Sequence, residues 1–277
     1  MDKSNRAFVI GHPIAHSRSP LIHGHWLEEF SINGAYEKHD VHPSQLQEFL
    51  TSIRRGQWLG GNVTIPHKQA LLSLVDHVTP EARQIGAANT VWAENGKLHA
   101  TNTDAYGFAA NLDDFAPQWR NAENSLVIGA GGASRAVIQA CISAGHKTVT
   151  VVNRTEVKAK SLAEEFGCTN AAYANTLQDT HRHDVIINTT SAGMGNIPPL
   201  PINFASARAD AVACDIVYSP LNTPFLVAAR EHGLTTVDGI GMLIHQAVPG
   251  FEIWFTKKPQ VTSELRTLLL RDLGETG

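Results

Sequence analysis

SLVIGAGGASRAVIQACISAGHKTVTVVNR, residues 125–154, decides the fold. Leu126-Val127-Ile128 is a short apolar run suited to a strand buried on both faces. Gly129-Ala130-Gly131-Gly132-Ala133-Ser134 follows. Ala136, Val137, Ala140, Cys141 and Ala144 then recur at helical spacing, and Gly145 is the expected stop. Val149 to Val152 is a second apolar run. Strand, glycine turn, helix and strand make a βαβ unit, whose first turn presents backbone N–H groups at a helix N-terminus to a pyrophosphate. The G-x-G-x-x-G fingerprint is only partly met, because Ser134 stands at its third glycine; the flanking elements carry the reading further than the glycines do. A reader of the NAD ribose carries Asp or Glu about 20 residues after such a turn. Here Asn153-Arg154-Thr155 occupies that place, with Lys158 one turn on. A carboxylate would repel a 2′-phosphate, whereas a guanidinium pairs with it through two hydrogen bonds. NADP is therefore expected rather than NAD.

The 277 residues are enough for two domains, and 43% hydrophobic with 17% charged residues is ordinary for a globular chain. A net charge of −4 without a basic run argues against a nucleic-acid partner. The N-terminal MDKSNRAFVIG lacks the apolar core of a signal peptide, and no stretch approaches a membrane span, so a cytoplasmic protein is expected. Cys141, Cys168 and Cys214 are far apart and odd in number, which fits inert thiols in a reducing compartment. The 14 histidines include no H-E-x-x-H, and neither His23/His25 nor His181/His183 has a third ligand nearby, so no metal is expected.

The N-terminal half alternates strand and helix, the mark of an α/β layer. Ala7 to Ile10 reads as a strand, Tyr36 to Val41 as a second, and Ser44 to Arg55 as a helix with Leu46, Phe49, Leu50 and Ile53 on one face. In Ser17-Arg18-Ser19-Pro20, Ser19 suits an N-cap and Pro20 a first helical residue. Two hydroxyls at a helix start also suit a carboxylate, and spacing alone leaves both readings open. In Asn62-Val63-Thr64-Ile65-Pro66-His67-Lys68, Asn62 and Thr64 share one parity of a strand. Pro66 is expected to open a helix with Lys68 on its first turn, where a cation opposes the dipole. Asn95-Gly96 marks a hairpin turn between residues 90–93 and 97–100. Asp104 reads as an N-cap for a helix over residues 105–112. The polar stretch around residues 113–124 is taken as a junction. This gives a first domain over residues 1–112, completed by 241–277, and a nucleotide domain over residues 121–240. Gly129, Asn153, Thr189, Ile216 and Gly239 all follow expected strand ends, where ligands bind in open parallel sheets. Met242 to Phe255 reads as one long apolar helix.

Taken in order, these motifs resemble the shikimate dehydrogenases. They are Ser17-Arg18-Ser19-Pro20, Asn62 to Lys68, Gly86 to Thr90, Asn102 to Gly107, Gly129 to Ala133, Asn153-Arg154-Thr155, Asn188 to Met194, Asp215 to Tyr218, and Asp238 to Leu243 with Gln246. The resemblance covers Phe8 to about Phe255. It implies two α/β domains, a substrate domain and a Rossmann-type doubly wound nucleotide domain, with a cleft between them. It implies reversible NADPH-dependent reduction of 3-dehydroshikimate to shikimate in aromatic biosynthesis. The alternatives are a relative that takes quinate with relaxed cofactor use, or a non-catalytic NADP-binding protein. It implies a catalytic pair at Lys68 and Asp104. The implied substrate contacts are Ser17, Ser19, Thr64, Asn89, Thr103, Tyr218 and Gln246, with Asn62 beside them. The implied NADP contacts are Gly129, Ala130, Gly131, Gly132, Ala133, Asn153, Arg154, Thr155, Lys158, Ile216 and Gly239, and Thr189 is expected among the cofactor-binding residues from its place at a strand end. Glu156 lies one position later than an acid that reads an NAD ribose. The chain is expected to act as a monomer or homodimer.

The chemistry is consistent with that implication. A ketone that receives hydride leaves charge on oxygen, and a proton donor within hydrogen-bond reach completes the reduction. Lys68 as ammonium can give that proton and, as amine, take it back. A carboxylate beside it favours the ammonium, while burial disfavours it.

Overall fold

Two six-stranded sheets form, one in each of two compact units, and the computed structural model describes residues 5–275. One unit takes the residues up to Asp104 and those from Gln246 onward; the other is Ala105–His245.

The first unit starts with β1 (Arg6–Gly11), α1 (Ser19–Glu29) and β2 (Ala35–Asp40), followed by α2 (Leu46–Arg54) and β3 (Gly60–Val63). β1 pairs in parallel with both β2 and β3. Short helices α3 (Leu71–Leu74) and α4 (Pro80–Ile85) alternate with β4 (His77–Val78), β5 (Thr90–Glu94) and β6 (Lys97–Thr101), giving the order β2-β1-β3-β5-β6-β4. The β5–β6 hairpin turns on Asn95 and Gly96, both at positive φ (52° and 76°). That conformation matches the strand twist and is why Asn-Gly is favoured there. Leu46, Leu50 and Ile53 of α2 are buried with Phe8, Ile10, Val63 and Leu98. At about 1.5–3 kcal/mol for each large apolar side chain removed from water, that stripe anchors α2. A separate aromatic cluster surrounds His23. Its ring stacks on Tyr36 at 3.9 Å, with Trp26, Phe251 and Trp254 close by. Burial pushes the His23 pKa down to about 3, so the ring is a neutral member of the stack.

The chain then passes through α5 (Asp104–Phe115) into β7 (Asn124–Ile128), α6 (Gly132–Ala144), β8 (Thr148–Val152), α7 (Glu156–Phe166), β9 (Thr169–Asn170) and α8 (Tyr173–Gln178). It continues with β10 (Val185–Asn188), β11 (Val212–Asp215), α9 (Pro224–Glu231), β12 (Thr235–Val237) and α10 (Ile240–His245). Every strand pair of this sheet is parallel. The order β12-β11-β10-β7-β8-β9 is the doubly wound arrangement. Its strand order reverses between β7 and β10, the crevice where ligands of such sheets bind. The βαβ reading is met in full: Leu126, Val127 and Ile128 are fully buried, and Gly145 closes α6 at φ 90°. The chain ends with α11 (Ala247–Phe255) and α12 (Ser263–Asp272) in the first unit.

The structure differs from the sequence reading at five places. Ser19 is the first residue of α1, not its cap; Arg18 holds the cap position and no side chain caps the helix. Residues 64–70 form turns, so Lys68 is not on a helix. Asp104 is likewise the first residue of α5, and its own N–H donates to Asn102 Oδ1 at 2.9 Å. The expected single helix over 242–255 is two, because Pro249 has no N–H to give the carbonyl of His245. The units part at Asp104/Ala105 and His245/Gln246, whereas the sequence reading drew the first domain to residue 112 and resumed it at 241. α5 belongs with the second sheet because Phe108 and Leu112, together with Trp119 of the expected junction, bury in the core that holds Val127, Val137 and Val151.

Candidate active site

The turn after β3 is tied down at several points. Thr64 N–H donates to Ile10 O at 2.9 Å, His67 Nε2 bonds Val41 O at 2.7 Å, and Ala88 N–H donates to Lys68 O at 2.9 Å. Lys68 is thereby aimed at the start of α5, where its Nζ donates to Asp104 Oδ2 at 2.5 Å. The side chains are 18% and 10% exposed, so the pair is shielded yet reachable. The other Asp104 oxygen accepts from Asn89 Nδ2 at 2.8 Å. Asn89 cannot turn over: its Oδ1 accepts from Thr103 N–H and from the Thr90 hydroxyl, both at 2.9 Å. Both carboxylate oxygens of Asp104 thus carry a donor, and the ammonium keeps N–H directions free for a ligand. Gln246 joins the same cluster through Asn89 at 3.4 Å.

Ser17 and Ser19 lie at the start of α1, with Ser19 N–H donating to Ser17 Oγ at 3.4 Å. Arg18, not either serine, holds the cap position of α1, so the N-cap reading of Ser19 is not met. Asn62 is buried on β3 with three side-chain hydrogen bonds. Tyr36 donates to its Oδ1 at 2.5 Å, and its Nδ2 donates to Asn89 O and Thr90 Oγ1 at 3.2 and 3.3 Å. Both Nδ2 hydrogens of Asn62 are therefore in use. Tyr36 also has Ser19 as a hydrogen-bond neighbour. Tyr36 and Thr90, the partners of Asn62, were not singled out from the sequence. The alternation of β2 could have indicated Tyr36, whose buried ring interrupts a half-polar strand. Thr64 is half-buried and Thr103 buried in the first unit, whereas Tyr218 belongs to the second.

In the second unit Gly129 follows β7 at φ 125°, and a side chain there would meet Thr189 Oγ1 at 2.4 Å. Thr189 Oγ1 donates to Ile128 O at 2.8 Å, so the Ser134 hydroxyl must donate to Thr189 across their 2.7 Å contact. Ser134 Oγ in turn accepts Gly131 N–H at 3.0 Å. The residue that breaks the fingerprint therefore ties the glycine loop to the loop after β10. It also engages the Gly131 N–H and the Thr189 hydroxyl, leaving the N–H groups of Gly132 and Ala133 at the start of α6. Above Gly131 and Gly132 a Cβ would meet nothing within 4 Å, which is the open cradle a pyrophosphate requires. Ala130 is half-buried in the same loop. Arg154, Thr155 and Lys158 are exposed after β8, and Asn153 Nδ2 donates to Thr155 O at 3.0 Å. Gly239 is packed so closely on Ile216 that a Cβ would lie 2.3 Å from its carbonyl oxygen. Asp215 fixes the loop carrying Ile216 and Tyr218: it accepts from Asn188 Nδ2, Val217 N–H and the Thr223 hydroxyl at 3.1, 3.0 and 2.7 Å. Burial pushes the Asp215 carboxyl above its ordinary range. Among the described residues no His, Cys, Asp and Glu side chains group to hold a metal ion, and no helix is long and apolar enough to cross a membrane.

Two family models match the chain: the shikimate dehydrogenase substrate binding domain over residues 9–91, and shikimate/quinate 5-dehydrogenase over residues 115–216. The NADP(+) shikimate dehydrogenase of Brucella abortus (strain S19) is 50% identical over 100% of this chain and 98% of its own. That of Rhizobium meliloti (strain 1021) is 49% identical over 97% of this chain and 96% of its own. The crystal structure of shikimate 5-dehydrogenase from Thermus thermophilus, solved with NADP(H) and shikimate, aligns at a TM-score of 0.87 and 37% identity, covering 96% of this chain and 98% of that one. The doubly wound second unit and these end-to-end matches agree: the chain belongs to the shikimate dehydrogenase family.

Proposed function

We propose that this protein is an NADP-dependent oxidoreductase that reversibly reduces 3-dehydroshikimate to shikimate. The observation that carries the mechanism is the 2.5 Å contact between Lys68 and Asp104, with Asn89 fixing the free carboxylate oxygen. Bound NADPH supplies the hydride. Lys68 gives its proton to the ketone oxygen as charge develops there, and takes it back as the neutral amine in the oxidation direction. Asp104 orients the ammonium. Ser17, Ser19 and Tyr218 hold the carboxylate. Thr64, Asn89, Thr103 and Gln246 read ring hydroxyls, a task that penalises analogues lacking them because buried partners are left unpaired. Asn62 braces this wall. Purified protein with shikimate and NADP should produce the NADPH absorbance band, with a higher kcat/KM than either quinate or NAD gives. No turnover would leave the non-catalytic NADP-binding reading; equal kcat/KM for quinate with NAD would establish the relaxed relative.

The N–H groups of Gly132 and Ala133 would hold the pyrophosphate, next to Gly129, Ala130 and Gly131. Asn153, Arg154, Thr155 and Lys158 would receive the adenosine 2′-phosphate, and Ile216 and Gly239 would contribute to the nicotinamide end. Ser134 and Thr189 act one step back, by fixing the loop. Thr189→Val preserves shape and removes the hydroxyl that accepts from Ser134. It should raise KM for NADP about five- to tenfold, on the scale of one buried hydrogen bond, with KM for shikimate unchanged. Thr189→Ser should restore it. Initial-rate kinetics varying each substrate in turn checks this, and an unchanged NADP KM in Thr189→Val defeats it.

A further inference from the structure

Lys38 lies on β2 two residues beyond Tyr36, hence on the same face of the strand. Tyr36 points its hydroxyl at Asn62, with Ser19 adjacent. One step along, Lys38 Nζ donates to the carbonyl oxygens of Ala15 and Ser17 at 3.0 and 3.4 Å. Its ammonium therefore rests against the backbone that carries the Ser17 hydroxyl. The neighbouring charges are already matched. Arg18 pairs with Asp272 and also donates to His16 O. Glu37, on the other face, pairs with Arg6 at 2.7 Å. Asp40, next along the Lys38 face, bonds His12 at 2.5 Å. Among the described residues Lys38 has no ion-pair partner.

We propose that Lys38 determines specificity for an acid: its unmatched ammonium behind Ser17 makes the Ser17–Ser19 end of the site favour a carboxylate over a neutral group. This rests on the reading above that Ser17 and Ser19 hold the acid end of the substrate. Neutral hydroxyl donors bind a carboxylate less tightly than charged ones do, and a nearby positive charge supplies part of the difference without touching the ligand. An exposed charge acting through water-rich surroundings gives a modest effect, and one that salt screens.

The test is a charge series, Lys38→Arg, Lys38→Gln and Lys38→Glu, assayed at saturating NADP with shikimate and its uncharged methyl ester (as inhibitor if it does not turn over). For shikimate, Lys38→Arg should stay within about twofold of the unaltered protein. Lys38→Gln should raise KM roughly three- to fivefold and Lys38→Glu about tenfold, with kcat nearly constant. Raising ionic strength should compress these differences, and the ester should bind all four proteins alike. Equal losses for Gln and Glu, shared by the ester, would reduce Lys38 to a tie for the loop and overturn the inference. A flat shikimate KM across the series would overturn it too. Failure of the unaltered protein to turn over shikimate would overturn the reaction reading, a result distinct from a flat series in an active enzyme.

Discussion

Lys68→Ala is expected to lower kcat by about 10²- to 10⁴-fold, the usual contribution of a positioned acid–base group, while KM for shikimate moves by no more than about threefold. The reasoning follows from where the proton must go. Charge appears on the ketone oxygen only as the hydride arrives, so a donor that meets it there stabilises the transition state more than the bound ketone. Lys68 is the cation of the polar cluster formed with Asp104, Asn89 and Gln246. Its removal leaves the Asn89 bonds to Thr103, Thr90 and Asp104 in place, so the wall that reads hydroxyls survives. The turn itself is held by backbone bonds and by His67, not by the Lys68 side chain. Lys68→Arg should not rescue, because a guanidinium keeps its charge and cannot take the proton back in the oxidation direction. Lys68→Met keeps the length of the side chain and should fall with Ala. Steady-state kinetics in both directions gives the answer, and a near-normal kcat for Lys68→Ala or Lys68→Met removes Lys68 from the chemistry.

What the sequence disclosed depended on how local each signal was. The β7–α6–β8 unit was legible because its apolar periods, glycine turn and Gly145 stop all lie within thirty residues. The β5–β6 hairpin was legible for the same reason. Lys68 and Asp104 could be singled out, but their meeting is set by bonds that no local pattern encodes, such as His67 to Val41 across 26 positions and Asn89 to Gln246 across 157. The same holds for α5. Its helical period was visible, yet its choice of the second core depends on Phe108 and Leu112 finding Val127 and Val137. Asn62 shows the converse. Its residue type and strand parity suited a substrate reader, and neither told that Tyr36 and Thr90 would be its hydrogen-bond partners. The break between α10 and α11 was readable from Pro249; the long apolar run around it simply dominated the reading.

Arg154→Asp carries the other large effect: kcat/KM for NADP should fall by about 100-fold or more, and the preference between NADP and NAD should narrow or invert. Arg154 follows β8 at the place where the polypeptide meets the adenosine ribose in a doubly wound sheet, and its side chain is exposed. The residue before it is fixed through Asn153 Nδ2 to Thr155 O, which sets the direction in which the segment leaves the strand. Its charge reaches Tyr173, whose hydroxyl is pushed up by burial and drawn partly back by that guanidinium. A charge-assisted pair to a phosphate contributes about 1.5–3 kcal/mol, and tenfold corresponds to 1.4 kcal/mol, so losing one accounts for roughly ten- to a hundredfold. The introduced carboxylate adds repulsion to the 2′-phosphate and can accept from a free 2′-hydroxyl, so NAD is spared the loss. Lys158, one turn along α7, still offers a cation, which is why Arg154→Asp with Lys158→Ala should deepen the NADP loss further. The preference of the unaltered protein should weaken as salt rises, because an exposed phosphate contact is screened and a hydroxyl contact is not. Measuring kcat/KM for both dinucleotides at two ionic strengths separates these contributions. An Arg154→Asp protein that keeps its NADP preference would move recognition of the 2′-phosphate elsewhere in the chain.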